Sequence, residues 1–415
     1  MSGQRLTGSR AWLAKVLGDL RASYWAVPGL CLVGAHLLAA LTLLADRHHP
    51  ELAAAMPTAF PDMQAAGARG LLTLMASSVI GVAGVMFSMT MVAVSFASGN
   101  FGPRLIGNFM RDRGTQWSLG ILVGTFAFCL QILRAVQPGS NADGFLPSLS
   151  LNAALWLTLI STCTMVYFVH HVPEIIKVSN IAAALGRRLE TCLREEIGAA
   201  PSDAAWQIPA GDPVARPSLG RSGYVQTLDT DRLQDIADCN QWRLRLCAQP
   251  GDFVAAGMPV LEVFAEDGAR APDDRDHGAL CACFAIGDER TENQDLTFLV
   301  DQLVEMTARA LSSGVNDPFT ACDCLNRMYA ALDVLLTCPT GAPQDEYGQM
   351  GRNRTTFCGL LERSFAASCP YIVTDRMVCD HASVLVARLR ASARTDRDIE
   401  ALDRLAEGLN GAKPA

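Results

Sequence analysis

Before residue 170, long apolar runs without Asp, Glu, Lys or Arg alternate with short polar segments. Tyr24–Ala45 is 22 residues long, Leu71–Ala97 is 27, Trp117–Leu133 is 17 and Leu149–Val169 is 21. A hydrocarbon core of ~30 Å needs roughly 20 residues of helix. Each run therefore predicts a membrane span, the third at the short limit. The first run is too long for the core of a signal peptide, and no clear small-residue cleavage site follows it, so it reads as an uncleaved signal anchor. Ahead of it, Trp12, Leu13, Val16, Leu17 and Leu20 predict a short amphipathic helix lying on the membrane surface.

The second run would make about 40 Å of helix, more than the bilayer core requires. It carries Ser77, Ser78, Gly81, Gly84, Ser88, Thr90 and Ser95. Small residues let helices approach closely, and hydroxyls can bond across the contact. Ser77, Gly81, Gly84, Ser88 and Ser95 therefore mark either a packing face or a pore lining. No ionisable group lies in this helix, which argues against a proton relay along it. After it, Asn100 to Gly114 reads as a turn and a short basic amphipathic elbow. Arg104, Arg111 and Arg113 there are candidates for headgroup contacts or for an inner pore mouth.

Beyond residue 170 the pattern changes. Ile175 to Ile197 continues the fourth helix past Pro173, with apolar positions at Ile181, Leu185, Leu189 and Leu193, and a Pro-rich linker follows. Pro250-Gly251-Asp252-Phe253-Val254, then Gly257-Met258-Pro259-Val260-Leu261, looks like the turn–strand–turn–strand hairpin of barrel-sandwich modules. The modified lysine of the cofactor-carrying members is missing. A helix around Asp231–Cys239 and strands at Arg243–Cys247 and Ala279–Ile286 complete a small β module. Thr291-x-x-Gln294 reads as a capping box opening a helix that ends near Gly314. Asp317 is placed as the N-cap, and Pro318 as the first residue, of the next helix, which runs to about Leu336.

The predicted fold class is thus an α-helical membrane domain of about four spans followed by an α+β cytoplasmic domain. Its parts are an amphipathic segment (1–23), a four-helix membrane domain (24–172), a helical stalk and linker (173–220), a β module (221–290) and a helical module (291–415). Charge sets the orientation. Ten Lys and Arg flank one side (Arg5, Arg10, Lys15, Arg21, Arg104, Arg111, Arg113, Lys177, Arg187, Arg188) against Arg47, Arg69 and Arg134 on the other. The positive-inside rule puts both termini in the cytoplasm. None of the 14 cysteines lies in the external loops 46–70 and 134–148, as a reducing compartment for the remainder would have it.

Lysine occurs only at 15, 177 and 413, none of them in a P-loop context. A net charge of -8 without a long basic run argues against nucleic acid as a partner. No GxSxG, HExxH or strand-to-helix GxGxxG appears, so no catalytic residue is assigned and no cofactor is expected. Cys281/Cys283 and Cys322/Cys324 are closer than the usual zinc spacing and read equally as buried thiols. His36, His170 and His171 lie in or at the end of membrane runs, where an interfacial place competes with a proton or metal role.

Several motifs together resemble the bacterial predicted-membrane-protein family called domain of unknown function 2254. They are Phe101-Gly102-Pro103-Arg104-Leu105 with Asn108 to Gln116, Tyr167 to His171, Ser222 to Gln226, Pro250 to Val254, Glu289-Arg290-Thr291 with Gln294-Asp295, and Arg309 to Ala321. The resemblance covers roughly residues 10–400 and implies a bacterial inner-membrane protein, without an activity to carry over. It singles out Arg290, Asn316, Asp317 and Pro318 as motif residues of unknown role. The functional expectation is a homo-oligomer in the bilayer, channel-like and gated by its cytoplasmic domain. The alternatives are a membrane-anchored scaffold or sensor, or an enzyme with an unrecognised site.

Overall fold

A computed structural model describes residues 25–49, 64–101, 112–137, 145–198, 211–265, 269–292, 294–337, 350–351 and 355–411. They divide into two compact units, one up to Lys177 and one from Val178 onward. The surface helix around Trp12, together with Arg104 and Arg111, lies outside the described residues.

The first unit holds α1 (Ala26–His48), α2 (Ala65–Phe101), α3 (Arg113–Ala135) and α4 (Ser148–Ile176). All four are long and apolar enough to cross a membrane. α3 is the inner helix, packed against the other three. Half of its apolar stretch is buried, against 6% for α1. Its Gly120 and Gly124 let α1 come close: a Cβ at Gly120 would lie 2.8 Å from Cys31 Sγ and 3.3 Å from Pro28 Cα, and one at Gly124 would lie 3.2 Å from the Cys31 carbonyl. This Gly-x-x-x-Gly notch is the small-residue device that substitutes for a hydrophobic drive inside lipid. The two helices run parallel, with Ala35 and Ala39 joining Phe128, Cys129 and Ile132 in one core.

Polar bonds fasten the ends of this bundle. Asp46, in the last turn of α1, accepts from the backbone N–H of Leu149 (2.9 Å) and Ser150 (3.0 Å) and from the Ser150 hydroxyl (2.7 Å). It thereby satisfies donors that open the first turn of α4. Deeper, Ser161 donates to Thr125 Oγ1 at 2.9 Å, both buried. α4 tolerates Pro173 and stops at Ile176, where Lys177 turns extended (ψ 121°). The expected continuous run to Ile197 is therefore two helices. The second, α5 (Val178–Gly198), belongs to the other unit. Its Ile181, Leu185, Leu189 and Leu193 are buried.

In the second unit β1 (Gly223–Leu228), α6 (Thr230–Asn240), β2 (Trp242–Leu246), β3 (Phe253–Val254) and β4 (Leu261–Ala265) are followed by α7 (Asp274–Cys281) and β5 (Phe284–Gly287). α8 (Leu296–Ala310), α9 (Pro318–Thr337) and β6 (Met350–Gly351) come next, then α10 (Phe357–Leu361), a π-helical turn (Glu362–Ala366), α11 (Ala367–Ile372), α12 (Arg376–Ser392) and α13 (Asp396–Gly411). The strands make two three-stranded sheets, β3-β1-β5 and β4-β2-β6. Alternate residues of β2 (Trp242, Leu244, Leu246) enter a core shared with Val225, Leu228, Val254, Leu261 and Val263. The Trp242 indole, fully buried, donates to the Arg270 carbonyl at 2.8 Å.

Two local expectations fail. The run from Ala279 is not one strand: an Asp273 capping box makes Asp274–Cys281 helical, and only Phe284–Gly287 is strand. Cys281 and Cys283 therefore do not share a strand face. Nor does Thr291-x-x-Gln294 cap α8. Asp295 is the N-cap, accepting from Phe298 N, while the Gln294 amide pairs with both backbone groups of Leu228 (2.8 and 3.1 Å).

Candidate functional site

On α2, Ser77, Gly81, Gly84, Ser88 and Ser95 follow one another at steps of three, four and seven, so they line a single face of the helix. Gly70, Thr73 and Gly99 extend that line, and all eight residues are exposed. A Cβ at Gly70, Gly81, Gly84 or Gly99 would meet nothing within 4 Å. The opposite side of α2 is buried through Leu72, Met75, Ala76, Val79, Ala83 and Met86. By helical geometry, exposed Leu74, Val85 and Val92 stand along one flank of the line, and Ile80 and Phe87 along the other. The result is an uncovered furrow with a small floor and apolar walls. Two of its serine hydroxyls are already satisfied: Ser77 donates to Thr73 O (2.7 Å) and Ser88 to Gly84 O (3.0 Å).

Arg113, the one elbow arginine among the described residues, is exposed at the first position of α3. Beside it, Asp112 caps α3 by accepting from Thr115 N (2.6 Å) and lies 3.0 Å from His171 Nε2 of α4. Tyr167 stacks on the His171 ring, with centroids 4.8 Å apart. A Cβ at Gly114 would overlap both rings, so glycine is what lets α4 close on this corner. His36 bonds only to its own helix, at Leu32 O (2.9 Å).

In the second unit the motif residues from 222 to 295 meet at one junction. Arg290 donates to Asp295 (2.8 Å), Asp301 (2.5 Å) and the Thr297 hydroxyl (2.9 Å), and lies over the Phe298 ring. Arg363, on the π-helical turn, closes on the same Asp301 with two bonds of 2.9 Å. Burial opposes ionisation of Asp301, but the Arg363 and Arg290 guanidiniums outweigh it and hold the carboxyl below its usual range. Gly251, at φ +97°, abuts the Asp295 carboxylate where any Cβ would overlap it. Gln226 donates to Glu289 O at 2.8 Å, and Arg188 of α5 pairs with the buried Glu292. Every charged group in this knot is matched, as a structural clasp between the sheets and helices requires.

Asn316-Asp317-Pro318 forms the corner between α8 and α9. Asn316 takes a left-handed backbone (φ 47°). Asp317 accepts from Thr320 N (3.1 Å) and Thr320 Oγ1 (2.6 Å), and donates its own N–H to Ala310 O (2.7 Å). Asp317 and Pro318 thus act as the N-cap and first residue of α9. The arrangement is a tight helix–helix turn with Phe319 projecting from it, 76% exposed.

Among the described residues no group of three or more His, Cys, Asp or Glu could hold a metal ion. Burial pushes the Cys283 and Cys324 thiols up to about 12, far from the thiolate that metals and electrophiles need.

Four membrane-length helices joined to a mixed helical and small-sheet unit define a membrane protein. The chain belongs to the predicted-membrane-protein family DUF2254, whose model matches residues 21–387. It is 31% identical over 291 residues to uncharacterized proteins of Mycobacterium tuberculosis and Mycobacterium bovis, covering 68% of this chain. It spans 56% of the length of these relatives. No solved structure matches it.

Proposed function

We propose that this chain works as a homo-oligomer in a bacterial inner membrane, with both termini cytoplasmic. In that oligomer the α2 furrows of several copies meet about a common axis. The observation that carries the reading is the furrow itself. Gly70 to Ser95 present small residues along some 38 Å of helix, and none of the described residues covers them. Within lipid, a face without side-chain bulk gains from the close approach of another helix. A further copy supplies the same furrow and the same walls.

Between Leu71 and Ala97 an axis lined by α2 is apolar and free of ionisable groups, suited to a constriction that gates by wetting and dewetting. The proposed activity is therefore a channel-like path for small solutes or ions, controlled by the soluble unit, with Arg113 among the cations near one mouth. A second reading, a membrane-anchored scaffold or sensor, is favoured by the Ser77 and Ser88 hydroxyls. Both are spent on their own backbone, as in a seam that stays dry. Conductance of the purified full chain in planar bilayers separates the two. The channel reading expects voltage- or tension-dependent currents that Ser88→Leu abolishes. A stable oligomer with no current leaves the scaffold reading standing.

A further inference from the structure

We propose that the cleft between α3 and α4 is a binding site for one anionic phospholipid of the surrounding bilayer, with an acyl chain in the cleft and the phosphate at Arg113. The cleft encloses about 630 Å³. Trp117 and Ile121 form its α3 side, and Trp156, Leu159, Ile160 and Cys163 its α4 side. Along α4 it runs from Trp156 to Tyr167, about 16 Å of helix, or half the ~30 Å hydrocarbon core. That is the depth of one leaflet.

Of the three hydroxyls lining it, those of Ser118 and Thr164 are turned back onto their own helices. Ser118 donates to Gly114 O (2.7 Å) and Thr164 to Ile160 O (2.8 Å). The walls are thus largely apolar, and an occupant within the bilayer must be apolar along most of its length. At one end the character reverses. Arg113 lines the mouth, exposed, and makes no ion pair among the described residues. The adjacent carboxylate, Asp112, is engaged with Thr115 N and His171. An apolar slot one leaflet deep, ending at a cation, is complementary to a lipid with a negatively charged headgroup. A cation at the membrane surface attracts such lipids selectively. The site does not use the α2 furrow, and it shares with the proposed oligomer only Arg113.

The test is native mass spectrometry of the full chain released from nanodiscs holding equal amounts of phosphatidylglycerol and phosphatidylethanolamine. One phosphatidylglycerol per chain should be retained, with about a fivefold preference for it. Arg113→Gln should erase the preference, and Arg134→Gln, at the other end of α3, should leave it intact. Cys163→Phe should lower retention of both lipids by filling the cleft. Equal retention of the two lipids by the parent chain would overturn the proposal. So would a preference that survives Arg113→Gln. Cross-linking through Cys163 between copies, with no lipid retained, would assign the cleft to a second chain instead.

Discussion

Two lines of small residues run along neighbouring helices of the membrane unit, and they meet opposite fates. On α3, Gly120 and Gly124 are filled: Cys31 and Pro28 of α1 occupy the space that a side chain would take. On α2, Gly81 and Gly84 face nothing within 4 Å. The first line is consumed in building the bundle. The second adds nothing to the fold of one chain, although glycine within a helix costs roughly 1 kcal/mol relative to alanine. A cost carried without return inside the subunit points to a return outside it. Glycines with neighbours and glycines without them should therefore respond differently to added bulk.

The largest effect belongs to the second unit. Gly251→Ala forces a left-handed residue to carry a Cβ that overlaps Asp295, and so disturbs the clasp around Arg290. Strain and overpacking together predict a loss of about 3 kcal/mol, read by chemical unfolding of the full chain in detergent. Next comes Gly120→Val, which must push Cys31 and Pro28 away and should cost about 2 kcal/mol, seen as a lower melting temperature of the membrane unit. If Gly120→Val left the melting temperature unchanged, the close approach of α1 and α3 would be wrong.

Acid should act on the clasp more gently. Asp301 has a folded value below the 3.8 of an unperturbed carboxyl. Its contribution is therefore complete above the unfolded value and lost as pH falls below it, through the folded value. Unfolding midpoints of the second unit should be flat near neutral pH and decline below about pH 4, with Asp301→Asn removing part of that decline. The smallest effect on the fold is that of Gly84→Val, within about 0.5 kcal/mol, because the new side chain enters open space.

The four spans could be read from run length alone, because the cost of charge in lipid leaves an unmistakable pattern. Asp317 and Pro318 were also legible, since a cap and its first helical residue are neighbours in sequence. The inner position of α3 was not read, although Gly120-x-x-x-Gly124 carried the signal. The small residues of α2 are more numerous but lie on its exposed face. The strand expected at Ala279–Ile286 starts only at Phe284, because the Asp273 capping box makes Asp274–Cys281 helical despite its apolar end. The clasp joins residues 251, 290, 295, 301 and 363. They are brought together by the packing of sheets on helices, so the family motifs held Gly251, Arg290 and Asp295 while nothing in the sequence pointed to Asp301 or Arg363.

The central claim is that the uncovered α2 furrow is where copies of the chain meet. The most direct test is the mass of the full chain in nanodiscs, parent against Gly84→Val, at matched protein concentration. The account predicts a discrete oligomer for the parent, and a folded monomer of unchanged melting temperature for Gly84→Val. A monomeric parent, or an oligomer that persists unchanged in Gly84→Val, would contradict it.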